Sequence, residues 1–118
     1  MSRKLKGKIG YVSNRKLRGL KHISGGHYVY INKINNNGTC NVNVFTSLEN
    51  KNNQLKTKKI RLMKKGNIYN IPIEDSNFTR WTGIKKGSIR NVKISDIKNI
   101  GSRSIKTRHK FFIGKFLK

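Results

Sequence analysis

Acidic residues are scarce in this chain. Its 118 residues include four acids, Glu49, Glu74, Asp75 and Asp96, against 28 lysines and arginines, so the formal net charge is +24. A genome bias that enriches lysine does not remove glutamate and aspartate as well. Four scattered carboxylates are too few for a metal-dependent nuclease site. A charge of this size is informative about binding partners rather than about the fold. It predicts that the partner is a phosphate polymer, because lysine and arginine bind phosphates with release of counterions.

Cysteine and long apolar runs are also lacking. One cysteine, Cys40, excludes an internal disulfide, and with three histidines at unrelated spacings it makes no zinc motif. We therefore expect no metal and no cofactor. No apolar run has the length of a membrane span, and the first twenty residues contain no apolar signal core. These absences predict a cytoplasmic protein that has no membrane partner.

Proline occurs once, as Pro72, whereas glycine occurs eleven times and turn residues recur about every ten positions. This pattern is typical of short β-strands joined by tight turns. We expect a mainly β fold, a small SH3-like β-barrel with a short helical turn over 95–100, in a domain of residues 1–100. A basic, aromatic C-terminal tail of residues 101–118 follows. The predicted strands cover residues 6–12, 27–34, 40–47, 58–63, 68–73 and 89–94.

The clearest element is a hairpin around Asn37-Gly38, because Asn-Gly is the strongest short-range signal for a two-residue turn. Such a turn pairs residues whose numbers sum to 75, so that Val29 faces Thr46 and Ile31 faces Val44. One face then carries Val29, Ile31, Val42 and Val44 and is expected to pack inward. The other face carries Tyr28, Tyr30 and Phe45.

Basic and aromatic residues give the candidate nucleic-acid contacts. The cations that we expect to contact phosphate are Arg3, Lys4, Lys6, Lys8, Arg15, Lys16, Arg18, Lys21, Arg103, Arg108 and Lys110. Tyr28, Tyr30, Phe45 and Trp81 are candidate platforms on which single-stranded bases stack. Two alternatives remain open: the cations form a general solvated surface, and the aromatic face forms a second small core under Phe111, Phe112 and Phe116.

A possible catalytic group lies on the same hairpin. In the predicted register His27 and Thr46 are diagonal neighbours, with Cα atoms roughly 7–8 Å apart. Imidazole moves protons near neutral pH, Thr46 and Ser47 offer hydroxyls to a phosphate oxygen, and Arg61 or Arg80 offers positive charge to a pentavalent phosphate. RNA carries its own nucleophile, the 2′-hydroxyl, so this set needs no metal. The alternative is a structural histidine after Gly25-Gly26.

The order of these parts resembles the PemK/MazF superfamily of toxins, which are small SH3-like barrels. The matching segments are GKIGYV (7–12), GGHYVYINKI (25–34), VNVFTS (42–47) and NVKISDIKNI (91–100). The resemblance implies a metal-independent endoribonuclease, often a homodimer, that an acidic antitoxin silences, with Thr46 as the carried-over site position. The family usually has Arg-Pro at the start of its second strand, where this chain has Gly26-His27-Tyr28.

Two other functional classes fit the composition. Ribosomal proteins with SH3-like barrels and basic tails bind RNA without catalysis, and the chain has similar proportions. A phage or plasmid inhibitor of a nucleic-acid-handling enzyme would use its charge to grip guide RNA or an acidic protein surface. The sequence favours RNA as the partner and leaves DNA as the alternative.

Overall fold

The computed structural model describes residues 5–48 and 54–117, and within these residues the chain forms one six-stranded sheet and two α-helices. Every neighbouring pair of strands is antiparallel, in the order β4-β5-β3-β2-β1-β6. The predicted mainly β class is therefore confirmed. The elements are β1 (Ile9–Ser13), β2 (Gly26–Ile34), β3 (Thr39–Ser47), α1 (Thr57–Lys64), β4 (Ile68–Ile71), β5 (Thr82–Lys93), β6 (Lys98–Arg103) and α2 (Thr107–Phe116).

The β2–β3 hairpin has the predicted faces but a different register. Val29 pairs with Val44 and Ile34 with Cys40, so paired numbers sum to 73 or 74 rather than 75. The connection is longer than a two-residue turn, because the Asn35 N–H donates to the Thr39 carbonyl at 2.9 Å and Gly38 adopts a positive φ of 77°. A shift of two residues leaves every side chain on its original face. The predicted inward face survives for that reason.

The first core lies on this inward face. Val29, Ile31, Val42 and Val44 are all buried, as predicted. They pack with residues from the neighbouring strands and loops, namely Val12, Leu17, Cys40, Val92 and Ile97. Burial raises the pKa of the Cys40 thiol to about 11, so the thiol stays protonated at neutral pH.

The opposite face of the sheet is buried as well. Tyr30 is 7% exposed and Phe45 is 3% exposed, packed with Ile84, Ile105 and Ile113. The prediction that Tyr30 and Phe45 form an exposed stacking surface is therefore wrong. The reason is that α2 folds back over them. The alternative of a second small core is closer to the structure, because Phe116, as expected, packs against these residues together with Ile113, whereas Phe111 and Phe112 do not.

The C-terminal residues form structure rather than an extended tail. Residues 98–103 form β6, which pairs with β1, and Ile113 of α2 is fully buried against the sheet. Phe111 and Phe112, which were expected to cover the aromatic face, are 55% and 50% exposed. Neither α1 nor α2 has the length and apolar composition that a membrane-crossing helix requires, and these are the α-helices of the described residues.

One buried carboxylate anchors α2. Asp75 accepts hydrogen bonds from His109 Nε2 at 2.7 Å and from Arg108 Nη2 at 2.6 Å, and the Lys106 ammonium lies 3.2 Å away. The other ring nitrogen of His109 lies 2.8 Å from the Tyr69 hydroxyl on β4. The hydrogen bond from His109, then that from Arg108, holds the pKa of Asp75 far below its ordinary value. The predicted nucleic-acid contact Arg108 is thus engaged with a carboxylate.

The predicted strand over residues 58–63 is wrong, because this segment lies in α1. Ile60, Leu62 and Met63 are partly buried, whereas Arg61 and Lys64 are exposed, which is a helical rather than an alternating pattern. The helical turn expected over 95–100 is reduced to a single 3-10 turn at Ile94–Asp96, after which β6 begins.

Candidate functional site

A cavity of about 220 Å³ opens where β2 begins and β3 ends, and we call it the aromatic cavity. Six of the predicted site residues line it: His27, Tyr28, Phe45, Ser47, Arg80 and Arg103. Its other lining residues are Gly26, Phe78, Thr79 and Thr82. The lining therefore combines aromatic rings, hydroxyls, one imidazole and two guanidinium groups, and it contains no carboxylate.

Aromatic contacts build the wall of the cavity. The Phe78 ring packs edge-on against Tyr28, with ring centroids 5.5 Å apart, and its centroid lies 5.0 Å from that of Phe45. The Arg103 guanidinium carbon lies 5.2 Å from the Tyr28 centroid and 5.8 Å from the Phe78 centroid. Arg103 Nη1 also donates to the Asn77 carbonyl at 2.7 Å. Cation–π contact and this hydrogen bond fix the guanidinium beside the rings.

His27 is oriented by a buried amide. Its Nδ1 lies 2.6 Å from Oδ1 of Asn14, and the Asn14 Nδ2 donates to the Ser24 carbonyl at 3.1 Å. Because Nδ2 needs that carbonyl as its acceptor, the amide presents its oxygen to the imidazole, and His27 Nδ1 must be the donor. In the neutral ring the proton therefore resides on Nδ1. Nε2 keeps a lone pair that can accept a proton.

The charge state of His27 also favours this role. Burial lowers the pKa of His27 below its ordinary value, and the positive charges of Lys85 and Lys59 lower it further. The imidazole is consequently neutral at physiological pH. Within the described residues the His27 ring has a hydrogen bond at Nδ1 and none at Nε2. A neutral histidine with one nitrogen oriented in this way is the arrangement expected of a general base.

Strand pairing brings Ser47 and Arg80 to the same cavity. Ser47 pairs with Thr82 at the β3–β5 register, and Arg80 precedes Thr82 by two residues. The Thr82 hydroxyl donates to the Arg80 carbonyl at 2.8 Å, and the Leu48 N–H donates to the Trp81 carbonyl at 2.8 Å. The first bond fixes the turn of the 80–82 segment, and the second holds this segment beside the residue that follows β3.

Thr46 and Arg61 do not join this group. Successive residues of a strand face opposite sides of the sheet, so Ser47 lines the aromatic cavity whereas Thr46, 8% exposed, does not. Arg61 lies on α1 and lines a separate depression with Leu55 and Lys64. Trp81 is half-buried and its indole N–H donates to the side chain of Asn70. The pairing of Val29 with Val44 places His27 and Thr46 on the same face of the β2–β3 hairpin, so their proximity stays a prediction, whereas Arg61 lies on α1 and does not line the aromatic cavity.

The predicted phosphate contacts occupy several surfaces. Lys8, Arg15, Arg18 and Lys21 are exposed, and Lys16 lies 4.0 Å from Asp96. Lys6 and Lys110 line a groove beside α2. Arg3 and Lys4 lie outside the described residues. The acids that the structure describes, Glu74, Asp75 and Asp96, can neutralise few of the 28 cations of the chain, so the surface field remains strongly positive.

Asn14 and Phe78 are the site residues that sequence reasoning missed. Nothing local in the sequence marks Asn14, because its role depends on the pairing of β1 with β2, which brings Val12 opposite His27. The sequence indicates Phe78 weakly, because Phe78 lies two residues before Arg80 in a segment of mixed aromatic and basic composition (77–81).

Neither a metal site nor a match to known proteins gives further information about the aromatic cavity. Across residues 5–48 and 54–117, no three His, Cys, Asp or Glu side chains come together in a way that could hold a metal ion. No protein-family model matches the chain, and the search of curated proteins found no match.

Proposed function

We propose that this protein binds RNA and cleaves it at the aromatic cavity without a metal, as an endoribonuclease of the PemK/MazF type on an SH3-like barrel. The observation that carries the proposal is the Asn14–His27 pair at the rim of a cationic, aromatic cavity. It supplies a neutral, oriented base next to groups that fit a nucleotide. The acidic antitoxin and the homodimer that the resemblance implies belong to this proposal.

The proposed reaction uses the RNA as its own nucleophile. His27 Nε2 takes the proton of a 2′-hydroxyl, and the 2′-oxygen attacks the adjacent phosphorus. The bond from phosphorus to the 5′-oxygen breaks, and the leaving 5′-oxygen takes a proton from water. Arg80 stabilises the negative charge that develops on the phosphoryl oxygens, and Ser47 donates a hydrogen bond to one of them. The products are a 2′,3′-cyclic phosphate and a 5′-hydroxyl, and His27 then returns its proton to solvent.

Binding of the nucleotide follows from the cavity wall. Tyr28 and Phe78 offer ring surface for a base, and Arg103, held over both rings, offers positive charge to a phosphate. Unpaired bases are accessible to such a wall and the bases inside a duplex are not. We therefore propose single-stranded RNA as the substrate.

The test is cleavage of a labelled single-stranded RNA by the purified protein in the presence of a metal chelator. We expect His27→Ala to lower the cleavage rate by roughly 10²–10⁴-fold, the usual contribution of a positioned base. His22→Ala is the matched control, because His22 is an exposed histidine outside the cavity, and it should cleave at the wild-type rate. A substrate with a single 2′-deoxynucleotide at the cleaved position should stay intact there.

Equal cleavage by the wild type and His27→Ala would contradict the assignment of the base. RNA left intact by the wild-type protein over hours would contradict cleavage altogether.

A second candidate is a non-enzymatic RNA-binding protein. It is favoured by exposed cations that do not line the aromatic cavity, such as Arg15, Arg18 and Lys21 in the β1–β2 connection, which cleavage does not need. Stable association with ribosomes in high salt, together with the absence of cleavage, would distinguish it.

A further inference from the structure

A second concave surface lies beside α2, which we call the helix groove. It has a volume of about 510 Å³. Its lining comes from β2, β5, α2 and the segment before β1: Lys6, Tyr30, Asn32, Ser88, Lys110, Phe111, Gly114, Lys115 and Leu117. The aromatic cavity does not include any of these residues, so the two surfaces are distinct.

The charged residues that line the helix groove are all basic. Lys6, Lys110 and Lys115 line it, and no acid does. Two separate parts of the chain bring these lysines together, because Gly7 lies close to both the Lys110 side chain and the Tyr30 hydroxyl. Three ammonium groups around one concave surface select an anionic ligand.

Side-chain amides and one hydroxyl form a hydrogen-bonded network at the groove. Asn32 Nδ2 donates to the side-chain oxygen of Asn43 and to Ser88 Oγ, the latter at 3.2 Å. Asn43, which is buried, donates in turn to the carbonyls of Lys85 and Lys86 at 3.0 Å each. This network fixes Asn32 and Ser88 in place at the groove. Ser88 Oγ also donates to Asn43 Oδ1 at 3.2 Å, so the donors of both groups are engaged. Asn32 Oδ1 and a lone pair of Ser88 Oγ can still accept hydrogen bonds from the edge of an unpaired base.

An exposed aromatic ring forms one wall. Phe111 is 55% exposed, and the Lys115 ammonium lies 4.7 Å from its ring centroid. A large exposed aromatic on a basic surface is costly to leave in water and is a stacking platform for a single-stranded base. An acidic peptide would use the lysines, but it has no base edge for the amide and hydroxyl and no planar ring for Phe111.

We propose that the helix groove is a second binding site for single-stranded RNA, separate from the cleavage site. Phe111 stacks on a base, Asn32 and Ser88 contact base edges, and Lys6, Lys110 and Lys115 contact phosphates. Tyr28 lines the aromatic cavity while Tyr30 and Asn32 line the groove, and these residues share one face of β2. Asn32 lies four positions after Tyr28 along β2, roughly 13 Å away, so one strand of several nucleotides spans both sites. The identity of the ligand rests on the proposed function.

The experiment measures binding without cleavage. A labelled 2′-O-methyl oligoribonucleotide of about ten nucleotides, within the site sizes known for single-strand binders, lacks the nucleophile and cannot be cut. Its dissociation constant is measured by fluorescence anisotropy for the wild type, Phe111→Ala and Phe112→Ala. Phe112 is the control for loss of a phenylalanine ring from α2, because it is similarly exposed and does not line the groove, while its ring contacts that of Phe111 edge-on with centroids 5.6 Å apart. We expect Phe111→Ala to weaken binding about tenfold or more and Phe112→Ala to leave it within about twofold.

Two results would overturn the inference. One is equal affinity of the two phenylalanine variants and the wild type for the oligonucleotide, even if His27→Ala abolishes cleavage of unmodified RNA. The other is loss of binding to a labelled polyglutamate peptide in Phe111→Ala with oligonucleotide affinity unchanged, which would assign the groove to an acidic protein. Weaker oligonucleotide binding in Phe111→Ala alone supports the second binding site even if the wild-type protein cleaves no RNA. Failure of the catalytic proposal is therefore distinguishable from failure of this one.

Discussion

Replacement of Asn14 by aspartate tests the geometry around His27 directly. The change keeps the size of the side chain and exchanges the amide for a carboxylate, whose oxygen would lie at the 2.6 Å position that Asn14 Oδ1 occupies beside His27 Nδ1. In the wild type the pKa of His27 lies below its ordinary value because of burial and the nearby lysines. An opposite charge within hydrogen-bonding distance raises a histidine pKa by roughly 1–3 units, and each unit corresponds to about 1.4 kcal/mol. We therefore expect the His27 midpoint in Asn14→Asp to rise by that amount.

The assay is proton NMR of the histidine ring hydrogens as a function of pH. Asn36→Asp is the control, because this substitution adds the same charge to the protein. Asn36 is exposed in the hairpin turn at the other end of β2. An unchanged or lowered His27 pKa in Asn14→Asp would refute the contact between residue 14 and the His27 ring.

The contribution of His27 to folding stability should depend on pH in opposite directions in the wild type and in Asn14→Asp. In the wild type the unfolded chain protonates His27 first as the pH falls, so the contribution of His27 to stability declines from about pH 6.5 down through its lowered pKa. In Asn14→Asp the contribution reverses once the pKa of His27 is raised above the unfolded value of about 6.5. It is then present below about pH 6.5 and is lost as the pH rises through the raised midpoint.

Two further predictions concern α2. Ile113→Ala should lower the free energy of unfolding in urea by about 2–5 kcal/mol, because Ile113 is fully buried between α2 and the sheet; a loss below ~1 kcal/mol would contradict the docking of α2. Asp75→Asn should be less stable than the wild type at neutral pH. Because the folded-state pKa of Asp75 is depressed, its stabilising contribution is present above about pH 4 and is lost as the pH falls. Urea unfolding below pH 4 should therefore bring the two proteins closer together, and a constant difference would show that the carboxylate charge is unimportant.

The hairpin illustrates how much of the fold the sequence predicts. Alternation of apolar and polar residues assigns Val29, Ile31, Val42 and Val44 to one face, and an error of two residues in register does not change that assignment. The turn itself was not predictable in detail, because Asn36, Asn37 and Gly38 are all suited to turns and the sequence does not choose between a short and a longer connection.

Elements with little local information account for the errors. Lys59-Ile60-Arg61-Leu62 alternates over four residues, which is too short a run to separate a strand from a helix. The burial of Tyr30 and Phe45 depends on α2, which lies more than sixty residues further along the chain. Likewise, His27, Ser47, Arg80 and Arg103 are recognisable as functional residue types. Strand pairing over long sequence separations decides that these four share a cavity whereas Thr46 and Arg61 do not.

The position of β1 in the sheet has a consequence for biosynthesis. β1 lies between β2 and β6, so one of its hydrogen-bonding edges stays open until Arg103, which pairs with Ile9, has been synthesised. Closing a loop of that length is entropically costly and slows folding. A ribosome-bound chain that lacks β6 and α2 exposes both the open edge and Tyr30, and such intermediates are the species that chaperones bind.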